Sequence, residues 1–187
     1  MTIYTIGHST RSLEEFLALL ERSSVQCLID VRAFPGSRRY PHFNREGLDA
    51  ALGQVGIGYV HSPALGGRRR PSPDSPPSAW RNDSFRAYAE YMRTPAFRQA
   101  LDDLIHRGDA SRTVIMCSEA VPWRCHRSLI SDALTAQGVA VEHILDAKSS
   151  PHQLTSFAVV ANGEVTYPSP ATTNVASDQH VLALGDP

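Results

Sequence analysis

Apolar positions recur along the chain in two alternating rhythms. Residues 2–9 form a short apolar run that ends in His8 and Ser9, the pattern of a buried strand. Ser12 and Glu15 have the spacing of a capping box, and Leu13, Phe16, Leu17 and Leu20 continue it as a helical stripe. Cys27 to Val31 is a second short strand, followed by a loop over 33–43. Asn44 is placed to cap a helix carrying Leu48, Ala51, Leu52 and Val55. Ile57 to Val60 then reads as a third strand. A run rich in proline and arginine over 62–84 predicts a long irregular loop. Beyond it, Phe85, Tyr88, Ala89 and Met92 mark a helix, and Thr94-Pro95 starts another with Gly108 as its expected stop. Thr113 to Cys117 is the strongest strand signal. Leu129, Ile130, Ala133 and Leu134 predict a helix ended by Gly138, and Val139 to Leu145 a last core strand. Asn162-Gly163 predicts a small hairpin joining 157–160 to 164–167, and the polar tail over 168–187 is expected to be disordered.

Strands alternating with helices imply an α/β fold: a three-layer Rossmann-like sandwich with a mostly parallel central sheet, formed by residues 1–167 as one domain. In such sheets ligands sit outside the carboxyl ends of the strands. That rule selects His8, Ser9, Asp30, Arg32, His61, Cys117 and Glu119, which are expected to converge on one crevice.

Composition narrows the classes. The chain has 187 residues and no apolar run long enough for a membrane span, so no membrane association is expected. No secretory signal is visible at the start, and three cysteines cannot all pair within one chain, so a cytoplasmic protein is expected. The net charge of −1 conceals an asymmetry: residues 1–127 carry +4 and residues 128–187 carry −5. Between Arg32 and Arg93 there are ten arginines against five acids, a candidate anion-facing surface. Arg38, Arg39, Arg68, Arg69 and Arg70 are its candidate contacts to a nucleic-acid backbone, DNA before RNA.

The densest chemistry lies between Cys117 and Arg127, where Cys125, His126 and Arg127 are expected in the first turn of a helix. There the helix dipole favours an anion and lowers a thiol pKa. This segment has the pattern C-x-E-x5-C-H-R. Together with Thr5–Ser9 (TIGHS), Asp30–Arg32 (DVR), Pro41–Asn44 (PHFN), Leu65–Gly67 (LGG) and the Tyr88–Met92 segment, it resembles the domain-of-unknown-function 488 family. The resemblance implies a compact α/β fold and an intracellular protein. Some relatives are DNA glycosylases acting on oxidised pyrimidines, so the resemblance implies a base-excision hydrolase here.

The residues permit that reaction. Hydrolysis of an N-glycosidic bond needs a carboxylate to orient water and to stabilise a sugar with oxocarbenium character. Asp30 and Glu119 are the candidates, with His8 beside them. A flipped base must be stacked and read along its edge, for which Tyr40, His42, Phe43 and Asn44 offer faces, donors and acceptors. Arg32, Arg39, His61, Cys117, Cys125, His126 and Arg127 complete the expected substrate site. A cysteine-dependent phosphatase or sulfurtransferase is the alternative, but Cys117 and Arg124 enclose one residue too many for the phosphatase pattern and Glu119 would repel phosphate. Cys117, Cys125 and His126, with His8 as a fourth, are conceivable metal ligands. Adjacent Cys and His at a helix start are not a usual zinc pair, so no metal or cofactor is expected. A non-catalytic nucleic-acid-binding module using the arginine loop is the remaining class.

Overall fold

The computed structural model describes residues 1–70, 72 and 78–170. Part of the 62–84 loop and the tail expected to be disordered beyond residue 170 lie outside the described residues. The chain runs β1 (Thr2–Gly7), α1 (Leu13–Arg22), β2 (Cys27–Asp30), α2 (Arg45–Gln54), β3 (Gly58–His61), α3 (Asp83–Tyr91), α4 (Pro95–Ala110), β4 (Thr113–Cys117) and α5 (Arg127–Ala136). It continues with β5 (Ala140–Ile144), β6 (Ser149–Pro151), β7 (Val159–Ala161) and β8 (Glu164–Thr166). Among the described residues no helix is long and apolar enough to cross a membrane.

Six strands form one sheet in the order β3-β2-β4-β1-β5-β6. The first five are parallel, and β6 adds an antiparallel edge that the sequence pattern did not signal. Alternate residues of the strands serve the two faces. Tyr4, Ile6, Leu28, Val114 and Met116 pack with Phe16 and Leu20 of α1 and Leu48 and Leu52 of α2. Ile3, Ile29, Ile115 and Cys117 pack with Tyr88 of α3, Leu101 and Leu104 of α4 and Leu129 and Ile130 of α5. Burial of each such aliphatic side chain contributes about 1.5–3 kcal/mol before the entropy of ordering is subtracted. The mostly parallel three-layer α/β arrangement expected from the alternation is the one observed.

Local signals hold at some element ends and fail at others. Ser12 accepts from the Glu15 N–H at 3.1 Å while the Glu15 carboxylate accepts from the Ser12 N–H at 2.9 Å, closing the capping box of α1. Asn44 occupies the N-cap position of α2, yet its side chain does not cap. Its Oδ1 instead accepts from the Ser37 N–H at 2.6 Å, tying down the loop that precedes the helix. Gly108 does not stop α4, which continues to Ala110; a Cβ at that position would crowd Met1 and Ile3. The hairpin of β7 and β8 turns at Asn162 and Gly163, both with positive φ, as the dipeptide predicts.

Candidate active site

Because β4 lies between β1 and β2, the carboxyl ends of these three strands are neighbours. Backbone pairing runs past the strands: the His8 N–H donates to the Cys117 carbonyl at 3.0 Å, and the Val31 N–H to the Met116 carbonyl at 3.0 Å. A cavity of about 700 Å³ opens above this edge. His8, Ser9, Arg32, Tyr40, Cys117, Glu119, Cys125 and His126 all line it, in agreement with the strand-end rule.

Asp30 is a correction. Its side chain is fully buried and does not reach the cavity. Its carboxylate accepts from the Arg32 backbone N–H at 3.0 Å, from Arg32 Nε at 2.9 Å, from Arg32 Nη2 at 2.6 Å and from the Tyr59 hydroxyl at 2.8 Å. Arg32 Nη2 also donates to the Phe43 carbonyl at 2.8 Å. The ion pair therefore fixes Arg32 in the cavity wall. His8 is next to it, only 3% exposed and stacked on Phe43 with ring centroids 4.3 Å apart. Its Nδ1–H donates to the Ser9 carbonyl at 3.0 Å, and Nε2 faces Arg32 Nη1 at 3.4 Å. Burial first, and the Arg32 charge after it, lower its pKa to about 4, so the imidazole is neutral at physiological pH.

On the other wall are the two thiols. Cys125 does not sit in the first turn of α5; it precedes the N-cap residue His126, at the end of a short 3₁₀ turn over Pro122–Arg124. A hydrogen bond from Cys117 lowers the Cys125 pKa, assisted by Arg127 and opposed by burial, while the same bond and burial raise that of Cys117.

Arg127 is fully buried beneath the cavity rather than in it. It donates through Nη2 to the carbonyls of Glu119 and Ala120 and through Nη1 to Thr5 Oγ1 at 3.3 Å. It thus holds the loop that presents the exposed Glu119 carboxylate. Around the rim stand Arg39 over the Tyr40 ring, Arg68 over the Phe34 ring, and Arg124. An adjoining open groove shares Phe85, Glu119 and Arg124 with the cavity and adds Trp80 and the exposed Trp123.

Other expected site residues lie elsewhere. His42, Phe43, Asn44 and His61 do not line the cavity. Phe43 is buried under His8, Asn44 is spent on Ser37, and His61 Nε2 meets the Arg32 carbonyl at 2.9 Å. Arg38 and Arg70 are exposed outside the cavity, whereas Arg69 turns inward to the carbonyls of Ala64 and Gly66 and lies over Tyr91 at 3.6 Å.

The family model of the domain of unknown function DUF488 matches residues 12–134. The chain belongs to the DUF488 family. No curated protein and no solved structure matches it.

The segments that carried the resemblance to DUF488 meet in space. A Cβ on Gly7 would overlap the Glu119 carbonyl and press on Arg127, so the glycine of TIGHS lets the Glu119 loop close onto β1. Gly67 gives the same clearance to the ring of His126. A buried polar chain behind this DUF488 cavity escaped the sequence reading. Thr5 Oγ1 meets His143 Nδ1 at 2.8 Å, His143 Nε2 meets His152 Nδ1 at 3.0 Å, and His152 Nε2 meets Asp132 at 2.9 Å. Asp132 also accepts from the hydroxyls of Thr155 at 2.7 Å and Tyr167 at 2.8 Å. These bonds outweigh the upward push of burial and lower its pKa. Burial first, and the neighbouring His152 and Arg127 after it, lower the His143 pKa to about 4, so this ring is neutral at physiological pH. The only sequence signal for it was a set of polar residues on otherwise apolar elements.

Proposed function

We propose that the cavity is the active site of a base-processing hydrolase: a DNA glycosylase that removes an oxidised or deaminated pyrimidine of the 5-hydroxyuracil kind. The observation that carries this reading is the cavity's lining. Glu119 is the one carboxylate among the described residues that line it, facing Arg32, Arg39, Arg68 and Arg124 and the rings of Phe34, Tyr40, Phe85 and Tyr88. An excess of arginine suits phosphodiesters on either side of a flipped nucleotide, and the rings suit a stacked base.

Glu119 orients a water toward C1′ and opposes the positive charge that develops on the sugar. The C1′–N1 bond breaks, the water oxygen bonds to C1′ and its proton passes to Glu119, which returns it to solvent, while the base leaves with the bonding electrons and takes up a proton from solvent. Arg32, immobilised by Asp30, offers a fixed donor toward the departing base. Lys148 does not line the cavity, so the reading has no lysine Schiff base and ends at an abasic site with the strand intact.

The test is a panel of oligonucleotides, single- and double-stranded, each carrying one modified pyrimidine. The expected result is release of one or a few oxidised or deaminated bases, with strand cleavage only after alkali. Binding across the panel without base release would make the protein a binding module instead.

A further inference from the structure

The thiol wall of the cavity has a use that the hydrolysis above does not call on. Cys117 Sγ, Cys125 Sγ and a ring nitrogen of His126 lie within 4.8 Å of one another. Tetrahedral zinc with ordinary Zn–S and Zn–N bonds has ligand–ligand edges of about 3.5–3.8 Å. Cys125 Sγ and His126 Nδ1 are already 3.5 Å apart. The two residues are adjacent in sequence, yet the 3₁₀ turn and the helix start fold the ring back toward the thiol. His126 Nε2 is 3.0 Å from the Val31 carbonyl, which can only accept. A ring proton is therefore on Nε2, and Nδ1 is turned to the side of the sulfurs, where it meets Cys125 Sγ. Metal-binding histidines are oriented in this way, by an outer hydrogen bond to a backbone carbonyl. Gly67 lies against this ring where a Cβ would displace it.

We infer that Cys117, Cys125 and His126 form a site for one thiophilic divalent cation, zinc by its ligand set, whose fourth position opens onto the cavity. All three residues line that cavity, so a water or a substrate atom has access to the open position. His8 does not fill it, since Nδ1 is bonded to the Ser9 carbonyl and Nε2 faces Arg32. Both thiols lose their protons on binding, and the protons go to solvent. The inference stands apart from the glycosylase reading, because metal uptake is measured without nucleic acid.

The experiment titrates the reduced, chelator-stripped full chain with cobalt(II) under exclusion of oxygen. The expected result is one equivalent bound, with thiolate-to-cobalt charge-transfer absorption and intense visible bands of a tetrahedral site, displaced by one equivalent of zinc(II). Cys27→Ser, at the opposite end of the sheet, keeps the spectrum. Cys117→Ser and Cys125→Ser each weaken binding by more than the roughly 10–100-fold that loss of an outer-shell partner costs. Circular dichroism checks that these variants fold. If one does not, alkylation of the natural chain replaces it: zinc is expected to protect Cys117 and Cys125 and leave Cys27 unprotected, and labelling of all three thiols unchanged by zinc overturns the inference. A reduced chain with no charge-transfer band overturns it too, as does a band that survives in both serine variants. Oxidation to a Cys117–Cys125 disulfide with no metal uptake in the reduced form would also overturn it, in favour of a redox pair.

Discussion

Asp30 and Glu119 are both carboxylates at strand ends, and sequence alone could not divide the work between them. Burial divides it. Asp30 is enclosed and saturated by Arg32 and Tyr59, whereas Glu119 is exposed in the cavity. Asp30→Asn is therefore expected to act on stability. It leaves a buried guanidinium without its counter-charge, and breaking such a pair costs about 3–5 kcal/mol. Urea denaturation of the variant checks this; an unchanged midpoint with lost turnover would return Asp30 to a chemical role. The same limit explains His8 and Arg127. Their residue types and places at a strand end and a helix start were legible, but which of them faces solvent depends on packing from elements distant in sequence. Arg127 resembled a ligand for anions and instead supports the Glu119 loop.

Among the elements, strands and helices with strong apolar periodicity were legible almost residue by residue. Irregular segments were not, because their side chains compete for partners that the sequence does not reveal. Asn44 is the plainest case, with a carbonyl claimed by Ser37 instead of its own helix. The edge strand β6 is only three residues long and carries no periodic signal. The loop after β4 is the element on which the site depends, and Gly7 is its contact point. Gly7→Ala is expected to push the Glu119 loop off β1 and reduce turnover by about 10-fold or more, on the scale of a small misplacement of catalytic groups. Its thermal stability should also fall. Normal turnover in a folded Gly7→Ala protein would show that the loop position is immaterial.

For the whole molecule, the charge asymmetry read from the sequence resolves into arginines of different kinds. Arg39 and Arg124 are exposed at the cavity, while Arg69 is engaged with backbone carbonyls and Tyr91. Removing Arg39 or Arg124 should flatten the salt dependence of duplex binding by roughly one unit each, whereas Arg69→Ala should lower stability and leave the slope unchanged. Equal slopes in all three variants would separate the cavity from nucleic-acid binding. Stability should also depend on pH through two histidines. His8 and His143 are both lowered to about 4, chiefly by burial, from an ordinary value near 6.5. Between these limits the unfolded chain binds up to two more protons than the folded one, so stability falls as pH drops from about 6.5 toward 4. Urea midpoints measured at intervals across that range follow it, and a flat profile would contradict the buried neutral assignment. Base release itself turns on Glu119. Single-turnover release by Glu119→Gln, measured beside its affinity for the same lesion-containing strand, isolates the carboxylate's charge from its shape. The predicted result is release slowed by about 100-fold or more with affinity retained; near-normal release in a folded Glu119→Gln protein would contradict it.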